Sequence, residues 1–157
     1  MRGLTLLVAG MAVAGPLAAQ TSPPPALTLE AATRVAAAAQ AEAAKNNWAV
    51  VIVVVDAAGY PVHLRRMDGA QLGSVLVAQE KAKTAALFRR PTKAFADYVA
   101  EGSTTILGLP GVVPIEGGVP LIVGGVVIGA VGVSGVTAAQ DGVVANAGAR
   151  AVGPSGG

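Results

Sequence analysis

The chain has 157 residues, of which 53% are hydrophobic and 13% charged, so it can form one domain with a substantial core but not two. It contains no cysteine, which excludes disulfide frameworks, thiolate metal sites and catalytic thiols. The formal net charge is only +2 and the basic residues are not interleaved with aromatic ones, so nucleic-acid binding is not expected.

The N-terminus has the pattern of a bacterial secretory signal. Arg2 precedes the apolar run LTLLVAGMAV and a small-residue stretch, and Gly15-Pro16 interrupts the run before it reaches transmembrane length. The expected organisation is a signal peptide (1–20), a linker (21–26), a folded domain (27–152) and a disordered tail (153–157). Cleavage would place the mature protein in the periplasm or outside the cell.

The domain begins with a predicted helix from Leu29 to about Lys45, with Thr28 as its N-cap. The following run WAVVIVVVD is apolar at every position until its end, which predicts a central strand covered on both faces.

A hairpin follows, because DAAGYP supplies turn residues and VHLRRMD alternates in polarity. The alternation places Val62 and Leu64 on one face of the second strand, and His63 and Arg65 on the other.

The next segment predicts an amphipathic helix from Leu72 to Phe88. Its predicted apolar stripe contains Leu72, Val75, Leu76, Ala82 and Ala86, and its solvated face contains Glu80, Lys81 and Lys83. Pro91 ends this helix, and a shorter helix is predicted from Thr92 to Ala100 before the loop EGSTTILGLPG.

The segment EGGVPLIVGGVVIGAVGVSG predicts two strands joined by a type I′ turn at Gly124-Gly125. Gly117-Gly118 before Pro120 predict a bulge in the first of these strands. In the second strand, alternation places Ile128, Ala130, Gly132 and Ser134 on one face that narrows to small side chains, which predicts close approach of a helix, another subunit or a ligand. A last helix is predicted from about Thr137 to Val152, and the order of elements indicates a single-domain α+β fold with helices packed on an antiparallel sheet.

Several residues have both a functional and a structural interpretation. His63, the only histidine, is either a ligand or general base or an exposed strand residue. Asp56 and Asp68 form either a carboxylate dyad or turn contacts. Arg65 and Arg66 can hold a carboxylate bidentately, or Asp68 pairs with them at the surface.

The remaining candidates are equally open. Lys81 and Thr84 share a helix with Glu80 and belong either to a site or to a charge-balanced solvated face. Glu116 either lies in a cleft or caps the predicted bulge. No nucleophile elbow, dinucleotide fingerprint or P-loop is present in the sequence.

Four stretches together resemble the GlcG/HbpS family of haem-binding or haem-degrading proteins, which is related to the C-terminal domain of PduO. They are VVDAAGYPVHLRRMDGAQLGS, AQEKAKTAALF, PIEGGVPLIVGGVVIGAVGVSG and AAQD, and the resemblance covers about residues 27–152. It implies a profilin-like antiparallel central sheet flanked by helices, assembly into homo-oligomers, and ligand binding without established catalysis. Some members bind haem or a corrinoid, and one secreted type works with a membrane sensor kinase.

Matching the family's motifs to this chain gives a set of candidate ligand-binding residues. They are Arg66, Met67, Asp68, Gly69, Lys81, Thr84, Glu116, Gly117, Gly118, Pro120, Ser134 and Gly135. If haem is bound, the candidate axial ligands are His63, Met67 and Tyr98, since iron is usually held by His, Met, Cys or Tyr.

Three hypotheses follow. The first is a secreted, oligomeric protein whose cations at Arg65/Arg66 and Lys81/Lys83 hold the carboxylates of a tetrapyrrole or another small anionic ligand. The second is a module that binds a membrane sensor protein. The third is an enzyme acting on a small carboxylate such as a 2-hydroxy acid, with Lys81 or Glu116 as its acid or base.

Overall fold

A computed structural model describes residues 25–153. The predicted signal peptide, most of the predicted linker and all of the predicted tail except Gly153 lie outside the described residues. The described chain contains, in order, α1 (Leu29–Lys45), β1 (Val51–Asp56), β2 (Pro61–Arg66), α2 (Ser74–Phe88), α3 (Thr92–Ala100), a 3-10 helix (Thr104–Gly108), β3 (Gly118–Val123), β4 (Val126–Ser134) and α4 (Ala138–Arg150). This order confirms the predicted α+β class.

The four strands form one antiparallel sheet in the order β2-β1-β4-β3. On one face, here called the α1/α4 face, Ile52, Val54, Val131 and Val133 pack against the alanines of α1 and against Val144 of α4. On the opposite face, called the α2 face, Val51, Val53, Val55 and Ala130 pack against Ala78, Ala82 and Ala85 of α2. Strand β1 is buried on both faces, as its sequence predicts.

Local signals place the ends of several elements correctly. The side-chain oxygen of Thr28 accepts a hydrogen bond from the backbone N–H of Ala31 at the start of α1. Thr137 and Gln140 form a reciprocal capping box at the start of α4. Gly124 and Gly125 have φ values of 57° and 79°, which confirms the left-handed turn between β3 and β4.

Two predicted strand faces are wrong, because each strand contains an unpredicted bulge. In β2, Val54 pairs with His63 and Val55 with Pro61, so Val62 is an extra residue that turns toward the α1/α4 core while Leu64 is exposed. In β4, Ile128 is the extra residue and joins the α1/α4 core rather than the face of Ala130. The bulge predicted at Gly117-Gly118 is absent, since the β3 register runs without a shift from Gly118 to Leu121.

The predicted apolar stripe of α2 is confirmed for Ala82, Ala86 and the partly buried Val75, which pack on the α2 face of the sheet, and is wrong for its two leucines. Leu72 and Leu76 are 76% and 71% exposed, and the helix instead buries its alanines against the sheet. A β-carbon at Gly132 of β4 would collide with the carbonyl oxygen of Ala78 and lie 2.5 Å from the amide nitrogen of Ala82. The helix therefore packs so closely that only small residues fit between it and the sheet.

Candidate functional site

The candidate site residues gather at one end of the sheet. At this end Val51 pairs with both Arg66 and Ser134, and Gly118 pairs with Gly132. The residues fall into two groups there. One group surrounds Lys81 between α2, α4 and β3, and the other surrounds Met67 beside β2 and the end of α1.

Lys81 forms a buried ion pair that the sequence does not predict. Its Nζ donates to Oδ2 of Asp141 at 2.8 Å and to the carbonyl oxygen of Val133 at 3.1 Å. The two side chains are 1% and 3% exposed. The interpretation of Lys81 as part of a solvated, charge-balanced face is therefore wrong, and the pair ties α2 to α4 across the end of β4.

Asp141 is held as a hydrogen-bond acceptor at both carboxylate oxygens. Oδ2 accepts from Lys81, and Oδ1 accepts from the backbone N–H of Val136 at 3.2 Å. Burial raises the pKa of Asp141, while the hydrogen bond from Lys81 opposes that rise. Because both oxygens accept, the geometry suits the ionised carboxylate.

Gly117 and Gly118 make room for this pair. Gly117 has a φ of 129°, and a β-carbon there would lie 2.8 Å from Nζ of Lys81 and 2.7 Å from the carbonyl oxygen of Val133. A β-carbon at Gly118 would collide with the carbonyl oxygen of Lys81. The side chain of Glu116 occupies the space beside Gly142 of α4, where a β-carbon would lie 2.8 Å from its Cδ. Because the two glycines have no side chains, α2 and α4 can pack closely against the start of β3 around the Lys81–Asp141 pair.

The hydroxyl groups near this junction are also used internally. Oγ1 of Thr84 donates to the carbonyl oxygen of Gly111 at 2.9 Å and accepts from the N–H of Val113 at 3.1 Å, which anchors the loop before β3. The hydroxyl of Ser134 donates to that of Ser74 at 3.2 Å. Pro120 is buried on the α2 face opposite Ala130, and a β-carbon at Gly135 would collide with the backbone of residues 49 and 50.

The second group lines a groove between β2 and the C-terminal end of α1, here called the β2 groove. One cavity of about 320 Å³ is lined by Gln40, Arg65, Arg66, Met67 and Asp68. A neighbouring cavity of about 280 Å³ is lined by Ala44, Asn47, Trp48, Ala49, Met67 and Asp68. Met67 and Asp68 line both cavities, so the two cavities are neighbours, and the name β2 groove covers both.

The backbone fixes Met67 in this position. Its N–H donates to the carbonyl oxygen of Val50 at 3.0 Å, which continues the β1–β2 pairing beyond Arg66. Its carbonyl oxygen accepts from the N–H of Ala70 at 3.1 Å, and Gly69 turns the chain with a φ of 81°. The Met67 side chain is partly buried against the α1/α4 core, so it is held by packing while it lines the groove.

The two arginines of the groove differ in their partners. Nη1 of Arg65 donates to Oε1 of Gln40 in α1. Among the described residues, the ion pairs are Arg34–Glu30, Lys81–Asp141 and Lys93–Asp97, so the surface pair considered between the arginines and Asp68 is not formed. Arg66 is exposed and forms neither an ion pair nor a side-chain hydrogen bond within the described part of the chain.

Asp56 and Asp68 do not form a dyad. Asp56 lies at the hairpin turn, where Oδ1 accepts from the N–H groups of Ala58 and Tyr60, both at 2.9 Å. Asp68 follows β2 at the opposite end of the strand. The turn interpretation of Asp56 is confirmed.

The three candidate axial ligands lie at two edges of the sheet. His63 and Met67 belong to the β2 edge, and the pKa of His63 is lowered by partial burial and by the charge of Arg65. Tyr98 is exposed on α3, which packs beside β3 at the other edge. Within residues 25–153, no group of three or more His, Asp and Glu side chains is arranged to hold a metal ion. In the same part of the chain, no helix is long and apolar enough to cross a membrane.

Sequence reasoning missed Asp141, Trp48 and Gln40. The stretch AAQD contains Asp141, but nothing in the pattern pairs it with a lysine 60 positions earlier. Trp48 was available as the only tryptophan, yet its place in the strand run suggested only core packing. Gln40 is unremarkable in a helix, and only the register of β2 brings Arg65 beside it.

Comparison with known proteins identifies a family for nearly all of the described domain. Residues 27–150 match the family model described as "Haem degrading protein HbpS-like". Protein GlcG of Escherichia coli is 48% identical over 108 residues, which cover 69% of this chain and 81% of that protein.

Two solved structures share the fold. The crystal structure of HbpS superposes with a TM-score of 0.76 at 33% identity, covering 89% of this chain and 99% of that one. The structure titled "Crystal Structure of PduOC:Heme Complex" superposes with a TM-score of 0.73 at 31% identity, covering 81% of this chain and 95% of that one. The predicted resemblance is therefore confirmed at the level of family and fold.

Proposed function

This chain belongs to the HbpS-like family, and on that premise we propose that it binds haem or a related tetrapyrrole in the β2 groove. The observation that carries the proposal is the position of Arg66, a cation without a protein partner among the described residues, next to Met67 in a preformed groove. Neighbours in the family include a protein solved as a haem complex, which supports a ligand of this class.

The arginines suit the acidic groups of a tetrapyrrole. A guanidinium presents parallel N–H donors that match a carboxylate, and charge-assisted bonds of this kind are the stronger class of hydrogen bond. Arg66 is available for such a bond, while Gln40 orients Arg65. Arg65 and Arg66 both line the cavity at the edge of the sheet, so an acidic group that enters it can meet both residues.

Met67 and Trp48 supply the apolar part of the groove. A thioether is an established axial ligand of haem iron, and the partial burial of Met67 holds its sulfur in place. Trp48 lines the adjoining cavity and offers a flat surface against a ring system. Haem, when bound, would supply the iron and the macrocycle, and the residues of this chain hold and orient it.

The size of the groove supports an assembly of more than one chain. The cavity beside the arginines, about 320 Å³, lies at the small end of the range of roughly 300–1,000 Å³ found for ligand sites. A tetrapyrrole would project from it, and a second subunit would cover the projecting part. The proposal includes a homo-oligomer, located in the periplasm or outside the cell on the strength of the signal pattern in residues 1–20.

The same residues favour binding over catalysis. Lys81 suits an acid or base role poorly, because its ammonium group is buried and already donates to Asp141 and Val133. Glu116 lies against Gly142 rather than in either cavity of the β2 groove. The exposed leucines of α2 favour a second role, a surface for another protein, which is compatible with ligand binding.

A hemin titration with matched variants tests the proposal. We expect the Soret absorbance of hemin to shift and saturate at a defined stoichiometry with the mature protein. Arg66→Gln should weaken binding at least several-fold, whereas Arg150→Gln, the same charge change at an exposed position on α4, should not. An unshifted spectrum, or equal loss in both variants, would contradict binding in the β2 groove.

A further inference from the structure

We propose that the β2 groove also binds a small aliphatic molecule with a carboxylate at one end and a primary ammonium group at the other. The inference rests on the proposed function in taking this groove as the ligand site, but it does not require haem. It is carried by the opposite charges of the two cavities. These are called here the arginine cavity (residues 40 and 65–68) and the tryptophan cavity (residues 44, 47–49, 67 and 68).

The tryptophan cavity has a single charged residue, and that residue is negative. Asp68 is exposed and forms neither an ion pair nor a side-chain hydrogen bond within residues 25–153. The other lining residues are uncharged: Ala44, Asn47, Trp48, Ala49 and Met67. A carboxylate without a counter-charge in a cavity of about 280 Å³ favours a ligand group that is positive.

The end of α1 adds to this negative potential. Ala44 lies in the last turn of the helix, and Asn47 directly follows its C-cap. The C-terminal end of a helix carries a partial negative charge, because the peptide dipoles are aligned along the helix axis. Lys45, the basic residue of that turn, does not line the cavity. The helix end and Asp68 therefore attract a cation to the same place.

Trp48 indicates that this cation is organic. Among aromatic side chains, indole is the best partner for an ammonium group, which is attracted to the face of the ring. Trp48 packs partly against the α1/α4 core and also lines the cavity, so its ring is held in place there. Asp68 is the only carboxylate of the cavity, whereas a hard metal ion such as Ca²⁺ needs six or more oxygen ligands.

The remaining lining residues favour a primary ammonium group on an aliphatic chain. The carboxylate of Asp68 and the amide oxygen of Asn47 are hydrogen-bond acceptors, and a primary ammonium group has three N–H donors to offer them. Ala44, Ala49 and Met67 supply apolar surface for methylene groups.

The arginine cavity carries the opposite net charge, because it contains Arg65 and Arg66 against the one carboxylate of Asp68. A guanidinium matches a carboxylate. The two cavities are neighbours that share Met67 and Asp68, so a chain of several methylene groups would span them. A molecule with a carboxylate at both ends, or with an amine at both ends, would meet a like charge in one cavity.

Three six-carbon probes test the two charges separately: 6-aminohexanoate, hexanoate and hexylamine. The only tryptophan of the chain lines one of the cavities, so its fluorescence reports binding, and isothermal titration calorimetry gives the affinities. We expect 6-aminohexanoate to bind more tightly than hexanoate or hexylamine, because it alone satisfies both cavities.

Variants assign each charge to its residue. Asp68→Asn should weaken the binding of 6-aminohexanoate about fivefold or more, and it should not weaken that of hexanoate, which has no ammonium group. Arg66→Gln should also weaken the binding of 6-aminohexanoate, but not that of hexylamine. Glu101→Gln, the same charge change at an exposed position after α3, is the control and should leave all three affinities unchanged. Circular dichroism checks that the variants remain folded.

The proposal is overturned if 6-aminohexanoate does not bind, if it binds no better than hexanoate or hexylamine, or if Asp68→Asn and Glu101→Gln weaken it equally. These titrations contain no hemin, so the two proposals fail independently. Binding of hemin without binding of 6-aminohexanoate overturns this inference alone. Binding of 6-aminohexanoate without binding of hemin overturns only the proposal of a tetrapyrrole ligand.

Discussion

Nζ of Lys81 lies 2.8 Å from Oδ2 of Asp141, and this buried contact joins α2 and α4 through two residues that are 60 positions apart in sequence. It connects α2, on one face of the sheet, with α4, on the other. The pair lies at the end of the sheet where the candidate residues gather, so it sets how closely the helices meet there.

Removal of one partner of this pair should destabilise the fold strongly. Lys81→Met leaves the Asp141 carboxylate buried without its cation, which we expect to cost about 3–5 kcal/mol of unfolding free energy. The double variant Lys81→Met/Asp141→Asn removes both charges and should lose less than the sum of the two single changes. Urea unfolding measures both effects. Lys93→Met, which breaks an exposed ion pair, is the control and should change the free energy of unfolding little. Equal losses of stability in Lys81→Met and Lys93→Met would contradict the structural role of the Lys81–Asp141 pair.

The close packing of α2 on the sheet predicts that alanine substitutions at two glycines have very different effects on the stability of the protein. Gly132→Ala would drive a methyl group into the backbone of Ala78, so we expect a loss of about 1–3 kcal/mol or more. Gly108→Ala is the matched control, since no other atom lies within 4 Å of the added carbon. Thermal and urea unfolding of both variants test this, and equal stability would mean that α2 is not held against β4 as described.

The lone histidine gives a direct measure of the charge at the β2 edge. Partial burial, and then the charge of Arg65, lower the pKa of His63 below the usual 6.5, so the unfolded chain binds more protons in the window just below that value. The contribution of His63 to stability is therefore complete above pH 6.5 and is lost as pH falls through the folded-state pKa. An NMR titration should find a pKa below 6.5 that rises in Arg65→Gln and moves less in Arg66→Gln. A wild-type pKa at or above 6.5 would contradict this geometry.

The position of Met67 in the groove distinguishes it from the other candidate axial ligands. We expect Met67→Leu to change the visible spectrum of the hemin complex, because leucine fills similar space but offers no sulfur. Tyr98→Phe should leave the spectrum unchanged, since Tyr98 lies on α3 near the opposite edge of the sheet. His63→Gln distinguishes His63 from Met67, the two candidates at the β2 edge of the sheet. A spectrum that responds only to Tyr98→Phe would place the ligand elsewhere.

Most of the fold could be predicted from the sequence because its signals are local. The threonine caps, the Gly124-Gly125 turn and the fully apolar β1 each specify their own element. The exposure of Leu72 and Leu76 could not be predicted, because large apolar side chains usually belong to the buried side of a helix. The sheet offers α2 small residues at Ala130 and Gly132, so the alanines bury and the leucines remain outside.

The candidate site was predicted only in part, for a similar reason. The stretch RRMDG marks the β2 groove directly, because its residues are consecutive. The partner of Lys81 and the contributions of Trp48 and Gln40 depend on tertiary contacts between distant segments. A bulge of one residue, as at Val62 and Ile128, also moves the side chains on one side of it to the opposite face of the sheet, and the sequence carries no clear signal of the bulge.

The most direct test of the proposed binding site is paramagnetic line broadening in NMR spectra of the protein loaded with hemin. The chain has one tryptophan, so its indole N–H signal is a unique reporter of the groove. Binding in the β2 groove predicts that the signals of Trp48 and of the Met67 methyl group broaden first, while that of Phe95, a buried residue of α3, persists. Broadening centred on Phe95 and Tyr98, with Trp48 unaffected, would contradict the assignment of the site.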